Sequence, residues 1–148
     1  MTSKLYLGSF LPYQLSITSN AVSDLIARTY RQKFGLKIPE WRVMAVLGEV
    51  RSMTQRELVE ATHMDKVMVN RATKALGERG LLERAPNRSD GRSHHLALSE
   101  IGRGLYDEIV PAALALEVRL SNVLSDTETE QLTQSLAKLK TAAEKLTR

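Results

Sequence analysis

A mainly α-helical fold with one small β-wing is what this sequence predicts, and three observations carry the prediction. Apolar residues recur at helical spacing through most of the 148 residues. One stretch, Leu81 to Leu98, switches to the two-residue alternation of strands around a turn-rich centre. Two short capped helices stand immediately before it, so the local order is helix, turn, helix, hairpin. That order is a winged helix-turn-helix.

Residues 1–11 are a loose lead. A first helix is expected from Pro12 to about Lys33, with Leu15, Val22, Leu25 and Ile26 at helical spacing and Pro12 near the first position. Its middle is rich in small polar residues (Ser16, Thr18, Ser19, Asn20, Ser23), which suits either a lightly packed helix or one lining a polar-edged cavity. Pro39 opens a second helix with Trp41, Met44, Val46 and Leu47 toward the core. Arg51-Ser52-Met53 is a connector, where a short strand would complete the sheet of the wing.

Thr54 followed by Glu57 makes a capping box for a short helix whose apolar side is Leu58, Val59 and Ala61. After a turn near Thr62-His63-Met64, Asp65 can cap the next helix, which runs to about Arg79 and stops at Gly80. At about 100° per residue, Val69, Ala72, Thr73 and Leu76 share one face, assigned to the core. The opposite face holds Val67, Asn70, Arg71, Lys74 and Glu78. A major groove asks for such a mixture: Arg and Lys for guanine edges or phosphates, Asn for adenine, an apolar group for a thymine methyl.

The hairpin strands are read as Leu81–Arg84 and Ser93–Leu98, with Leu96 and Leu98 alternating with polar neighbours. Between them, Pro86-Asn87-Arg88-Ser89-Asp90-Gly91-Arg92 is a tip holding two arginines, which suits an adjacent minor groove. Asp90 would repel phosphates, so its expected task is structural: pairing with Arg92 or Arg88 to fix the wing. The candidate DNA-binding residues are therefore Thr54, Gln55, Arg56, Lys66, Val67, Asn70, Arg71, Lys74, Arg88 and Arg92, with Asp90 shaping the wing. Beyond the wing, Ser99 caps a long helix reaching about Val123, kinked at Pro111. Ser125 with Glu128 opens a last helix through Leu132, Leu136 and Leu139 to Leu146.

The segment GLLERAPNRSDGRSHHLALSEIG resembles the MarR family of bacterial regulators, with Asp90-Gly91-Arg92 matching the family's Asp-x-Arg wing signature. Ile38-Pro39-Glu40-Trp41-Arg42, opening the earlier helix, fits as well; Gly91 departs from the larger or basic residue many members carry there. The resemblance covers nearly the whole chain. It implies one domain: a winged-helix DNA-binding lobe at 36–98, with 1–35 and 99–148 as dimerisation helices. It also implies repression as the default mode, and an effector held where the dimer helices meet the lobe. Residues of this chain that could line that junction are Tyr13, Ser16, Asn20, Trp41, Arg42 and Tyr106. Rings there would sandwich a flat ligand and Arg42 would meet an anionic group, so the expected effector is an aromatic acid or its coenzyme A thioester.

Composition bounds the alternatives. Net charge is +4, and the excess is uneven: residues 1–50 carry 6 Lys/Arg against 3 acids, 51–95 carry 9 against 6, and 96–148 carry 6 against 8. The basic middle suits a polyanion; the acidic last third does not. With no cysteine, disulfides, thiolate zinc sites and the cysteine-based sensing of one branch of the resembling family are excluded. No segment is long and apolar enough to span a bilayer and no signal-peptide pattern opens the chain, so a cytoplasmic protein is expected.

Leu5, Leu7, Phe10 and Leu11, and the apolar faces of the last helices, exceed what one small body needs to cover; a homodimer on a near-palindromic operator follows. A monomer with interleaved terminal helices is the alternative. No catalytic constellation and no cofactor motif stands out, so no enzyme is expected. Two other readings stay open: a winged-helix protein-interaction module, and a metal-responsive regulator using His63 with carboxylates. His94 and His95, adjacent in a strand, face opposite ways and do not share a metal readily.

Overall fold

A computed structural model describes residues 3–86 and 94–148. It is mostly helical with one small antiparallel sheet, as the periodicities require. Two compact units divide the chain, one ending at Ala113 and the other spanning Leu114–Arg148.

In the first unit a 3-10 turn (Leu7–Ser9) leads to α1 (Leu11–Ala27), with Pro12 in its opening turn. The single helix expected as far as Lys33 is interrupted: Arg28, Thr29 and Tyr30 form a turn, and a four-residue α2 (Arg31–Phe34) follows. The cause is local and tertiary together. Thr29 donates its hydroxyl back to the Ile26 carbonyl (2.7 Å), and Tyr30 leaves helical geometry at φ −136° to bury its ring almost completely. Burying an aromatic ring outweighs the small propensity gained by continuing a helix.

Gly35, at φ +65°, ends α2, and α3 (Ile38–Glu49) begins with Pro39 in its first turn and the Lys37 amide donating to Glu40 Oε1 (3.1 Å). Met44 and Leu47 enter the core as expected, joined by Val43, while Trp41 and Val46 stay half-buried.

The connector does form a strand, β1 (Met53–Thr54), shifted slightly from Arg51–Met53. Then come α4 (Gln55–Thr62), α5 (Lys66–Glu78), β2 (Leu82–Pro86) and β3 (His94–Leu98). The sheet order is β1-β3-β2, all antiparallel, with Arg84 opposite Leu96, Leu82 opposite Leu98 and Met53 opposite Leu96. Leu96 and Leu98 are buried, so this face of the hairpin closes the core under α3, α4 and α5.

Ser99 opens α6 (Glu100–Ser121): its hydroxyl accepts from the Gly102 amide (3.0 Å) and donates to the Gly80 carbonyl (2.6 Å). One side chain thus ties the first turn of α6 to the turn that follows α5. The second unit holds the end of α6 and α7 (Asp126–Leu146), whose capping box pairs Ser125 and Glu128 reciprocally at 3.0 and 3.1 Å. None of the residues of α7 is buried, and Leu132, Leu136 and Leu139 lie open. Among the described residues, no helix is long and apolar enough to cross a membrane.

Candidate nucleic-acid interface

The interface is built on α4 and α5 and on the turn between them. Thr54 Oγ1 accepts from the Glu57 amide (3.2 Å), the forward half of the expected box, and Asp65 Oδ1 accepts from the Met68 amide (2.8 Å). Between the helices His63 takes a left-handed conformation, φ +57°, which reverses the chain in one residue. At the far end Gly80, at φ +72°, lets the Leu81 amide reach the Leu76 carbonyl (2.9 Å) and its own amide reach Gly77 (3.0 Å). Those paired bonds satisfy the last carbonyls of α5. Arg79 donates to the Phe34 carbonyl (2.6 Å), anchoring the end of α5 to the segment before α3.

With both ends fixed, the two faces of α5 separate as the 100° periodicity requires. Val69, Ala72, Thr73 and Leu76 are buried. Val67, Asn70, Arg71, Lys74 and Glu78 are exposed, and so is Lys66 in the first turn. Val67 keeps 58% of its surface in water, an apolar group held outward beside two cations. Arg56 is also exposed and lies 4.0 Å from Glu60, an ion pair too solvated to hold it. Gln55 is different: its Nε2 donates to Asn70 Oδ1 (2.7 Å) and to Thr73 Oγ1 (3.1 Å), so it is bonded to α5.

Beside the exposed face of α5 runs a groove of about 420 Å³, lined by Gln55, Asn70, Thr73, Lys74, Arg84, His94 and Leu96. Arg84 and His94 are additions to the residues expected from sequence. Strand alternation could have found them: Arg84 shares the face of Leu82, and His94 that of Leu96 and Leu98. The hairpin face that is apolar under the core becomes polar and basic where it meets the groove. Arg88, Asp90 and Arg92 lie outside the described residues.

His95, on the other face, shares a hydrogen bond with Ser52 through Nδ1 (2.9 Å), so the adjacent histidines do point apart. Among the described residues, no group of three or more His, Asp or Glu side chains could hold a metal ion.

The residues expected around an effector fall into two sets. Trp41 stacks on Tyr30 (centroids 5.3 Å apart) and on Tyr106 (6.0 Å), making one aromatic column from the turn after α1, through α3, to α6. Arg103 lies over Tyr106 (5.5 Å) and donates to the Gly48 carbonyl (3.1 Å), locking α6 to the end of α3. Arg42 is exposed on α3, and Tyr13, Ser16 and Asn20 are exposed along α1. Burial raises the Tyr30 phenol above the ordinary tyrosine value, opposed in part by Arg31 and Arg42 and reinforced by Asp24.

A capped two-helix unit, a basic outer helix face and a hairpin flanking it make a winged helix-turn-helix. The model of the MarR family matches residues 34–93, from the end of α2 into the wing. That match, together with the solved structures, supports a MarR-family winged-helix regulator.

Solved structures agree along nearly its full length. The chain is similar to a probable transcriptional regulator from Pseudomonas aeruginosa, at 28% identity and a TM-score of 0.80, over 90% of this chain and 99% of that one. It is similar to a MarR/EmrR family transcriptional regulator from an Acinetobacter species, at 26% identity and a TM-score of 0.86, over 95% of this chain and 99% of that one. At 22% identity it shares the fold of CouR from Rhodococcus jostii, solved bound to p-coumaroyl-CoA, with a TM-score of 0.76 over 92% and 95% of the two chains. No curated protein matches the sequence. The family and these neighbours are transcriptional regulators, not enzymes.

Proposed function

We propose that this chain is a homodimeric, effector-responsive repressor that reads a near-palindromic DNA operator with α5 and releases it when an aromatic acid or its coenzyme A thioester binds. The observation that carries the reading is the outer face of α5: Val67, Asn70, Arg71 and Lys74 stand exposed together, beside a groove carrying Arg84 and His94. Cations for phosphate, an amide for a base edge and an apolar group for a thymine methyl are gathered on one helix surface. In this proposal Thr54, Arg56 and Lys66 hold the backbone at the helix starts, and Arg88 and Arg92 grip alongside, with Asp90 shaping the wing.

Two copies are supported by the exposed apolar residues of the terminal helices, Leu7, Phe10 and Leu11 in one unit and Leu132, Leu136 and Leu139 in the other. The effector is assigned to the region of Tyr13, Ser16, Asn20, Trp41, Arg42 and Tyr106. Support comes from the aromatic column, since a ligand that displaced Tyr106 from Trp41 would move α6 against the lobe that carries α5. A fold neighbour solved with an aromatic acyl thioester points to the same ligand class. The ligand needs only a different affinity for the DNA-bound and free arrangements.

The test is selection of bound duplexes from a random pool, followed by a salt series on the winner, with and without p-coumaroyl-CoA and free aromatic acids. The expected result is a palindromic consensus, affinity falling steeply with salt through counterion release, and release by one of the ligands. Affinity for duplexes that ignores ionic strength would instead leave a protein-interaction module.

A further inference from the structure

We infer that Gln55 is a positioning residue that sets which base Asn70 reads, and that it does so by fixing the direction in which the Asn70 amide faces. The inference rests on the DNA-reading role proposed for α5. It begins with Thr73, which is buried and packed under the reading face. Its hydroxyl carries a single proton, and that proton goes to the main-chain carbonyl of Asn70 (3.2 Å). Towards Gln55 the hydroxyl can therefore only accept, so the atom facing it at 3.1 Å must be the Gln55 amide nitrogen. The same nitrogen meets Asn70 at 2.7 Å, which requires the Asn70 atom there to be its carbonyl oxygen. A buried hydroxyl thus orients Gln55, and Gln55 orients Asn70.

Held this way, Asn70 turns Oδ1 inward and leaves both hydrogens of Nδ2 for the groove. A guanine edge shows two acceptors, N7 and O6, and fits such a donor. Bidentate pairing with adenine needs Oδ1 to accept from N6–H, in competition with Gln55. The wild-type chain is therefore expected to favour guanine over adenine at the base pair under Asn70. Gln55→Ala frees the amide to rotate and moves that preference toward adenine by about tenfold, the scale of one base-edge contact. Gln55→Glu can accept but not donate; with the Thr73 hydroxyl turning its one proton to the carboxylate, Glu holds Asn70 by Nδ2 and turns Oδ1 outward, with the same direction of change.

The experiment is duplex selection with the intact protein for wild type, Gln55→Ala, Gln55→Glu, Asn70→Ala and the Gln55→Ala/Asn70→Ala pair. Gln55→Ala and Asn70→Ala should alter the same base pair, and the double variant should match Asn70→Ala alone. If Gln55→Ala changes a base pair that Asn70→Ala leaves untouched, Gln55 reads DNA itself and the inference is overturned. Loss of affinity for all duplexes alike, with preference intact, overturns it equally. A wild-type chain that selects no duplex removes the DNA-reading role, and the inference falls with it.

Discussion

His63 holds φ +57° without being a glycine, and a β-carbon in that region strains the backbone. Its side chain is exposed, so little packing is lost by removing it. His63→Gly is expected to raise stability by about 1 kcal/mol in a denaturant titration, less whatever chain entropy glycine adds to the unfolded state. A fall would mean that the imidazole makes a contact of its own. Tyr30 gives a residue-scale prediction in pH. Burial holds its folded-state pKa above the unfolded value of about 10, with Arg31 and Arg42 pulling partly against it. A raised value means that the neutral phenol is the form the fold accepts. Its contribution is whole below about pH 10 and is lost as pH rises through the folded-state value. Tyr30→Phe should therefore flatten the alkaline branch of a stability–pH curve; an unchanged alkaline branch would place the loss elsewhere.

Among the elements, the join between α6 and the lobe is close where Gly102 passes Leu81. A β-carbon at Gly102 would sit 2.0 Å from the Leu81 carbonyl oxygen, a backbone atom that cannot step aside, whereas one at Gly104 would meet nothing within 4 Å. Gly102→Ala should cost about 3 kcal/mol through overpacking, and Gly104→Ala should gain roughly 0.5–1 kcal/mol of helix propensity. Chemical denaturation of the two variants side by side checks both; equal effects would show that α6 can slide away from Leu81. This contact was not legible in the sequence, because it joins residues twenty-one positions apart, with both strands β2 and β3 between them. The two faces of α5 were legible, since helical geometry alone separates Val69, Ala72, Thr73 and Leu76 from Asn70, Arg71 and Lys74. So was the hairpin, through the alternation at Leu96 and Leu98. The break at Arg28–Tyr30 was hidden, with neither proline nor glycine in the turn to signal it. Gln55 was legible as a polar residue near the proposed DNA-reading face, but its bond to Asn70 depends on how α4 crosses α5, which no local pattern encodes.

For the whole molecule the decisive quantity is apolar surface without a cover. Leu5, Leu7, Phe10 and Leu11 are each more than two-fifths exposed, and in the unit from Leu114 onward Val118, Val123 and Leu132 are each nearly half exposed or more. Sedimentation equilibrium is expected to return twice the mass of one chain. A single-chain mass at micromolar concentration would remove the dimer from the proposal and with it the palindrome. The nakedness of α7 carries one more consequence. No residue of α7 is buried within the chain, so in the proposed dimer folding and association would become a single equilibrium governed by mass action. The melting temperature of this protein should then climb as the solution is made more concentrated, and a chain freshly made at low copy number would stay half-finished until it found its twin.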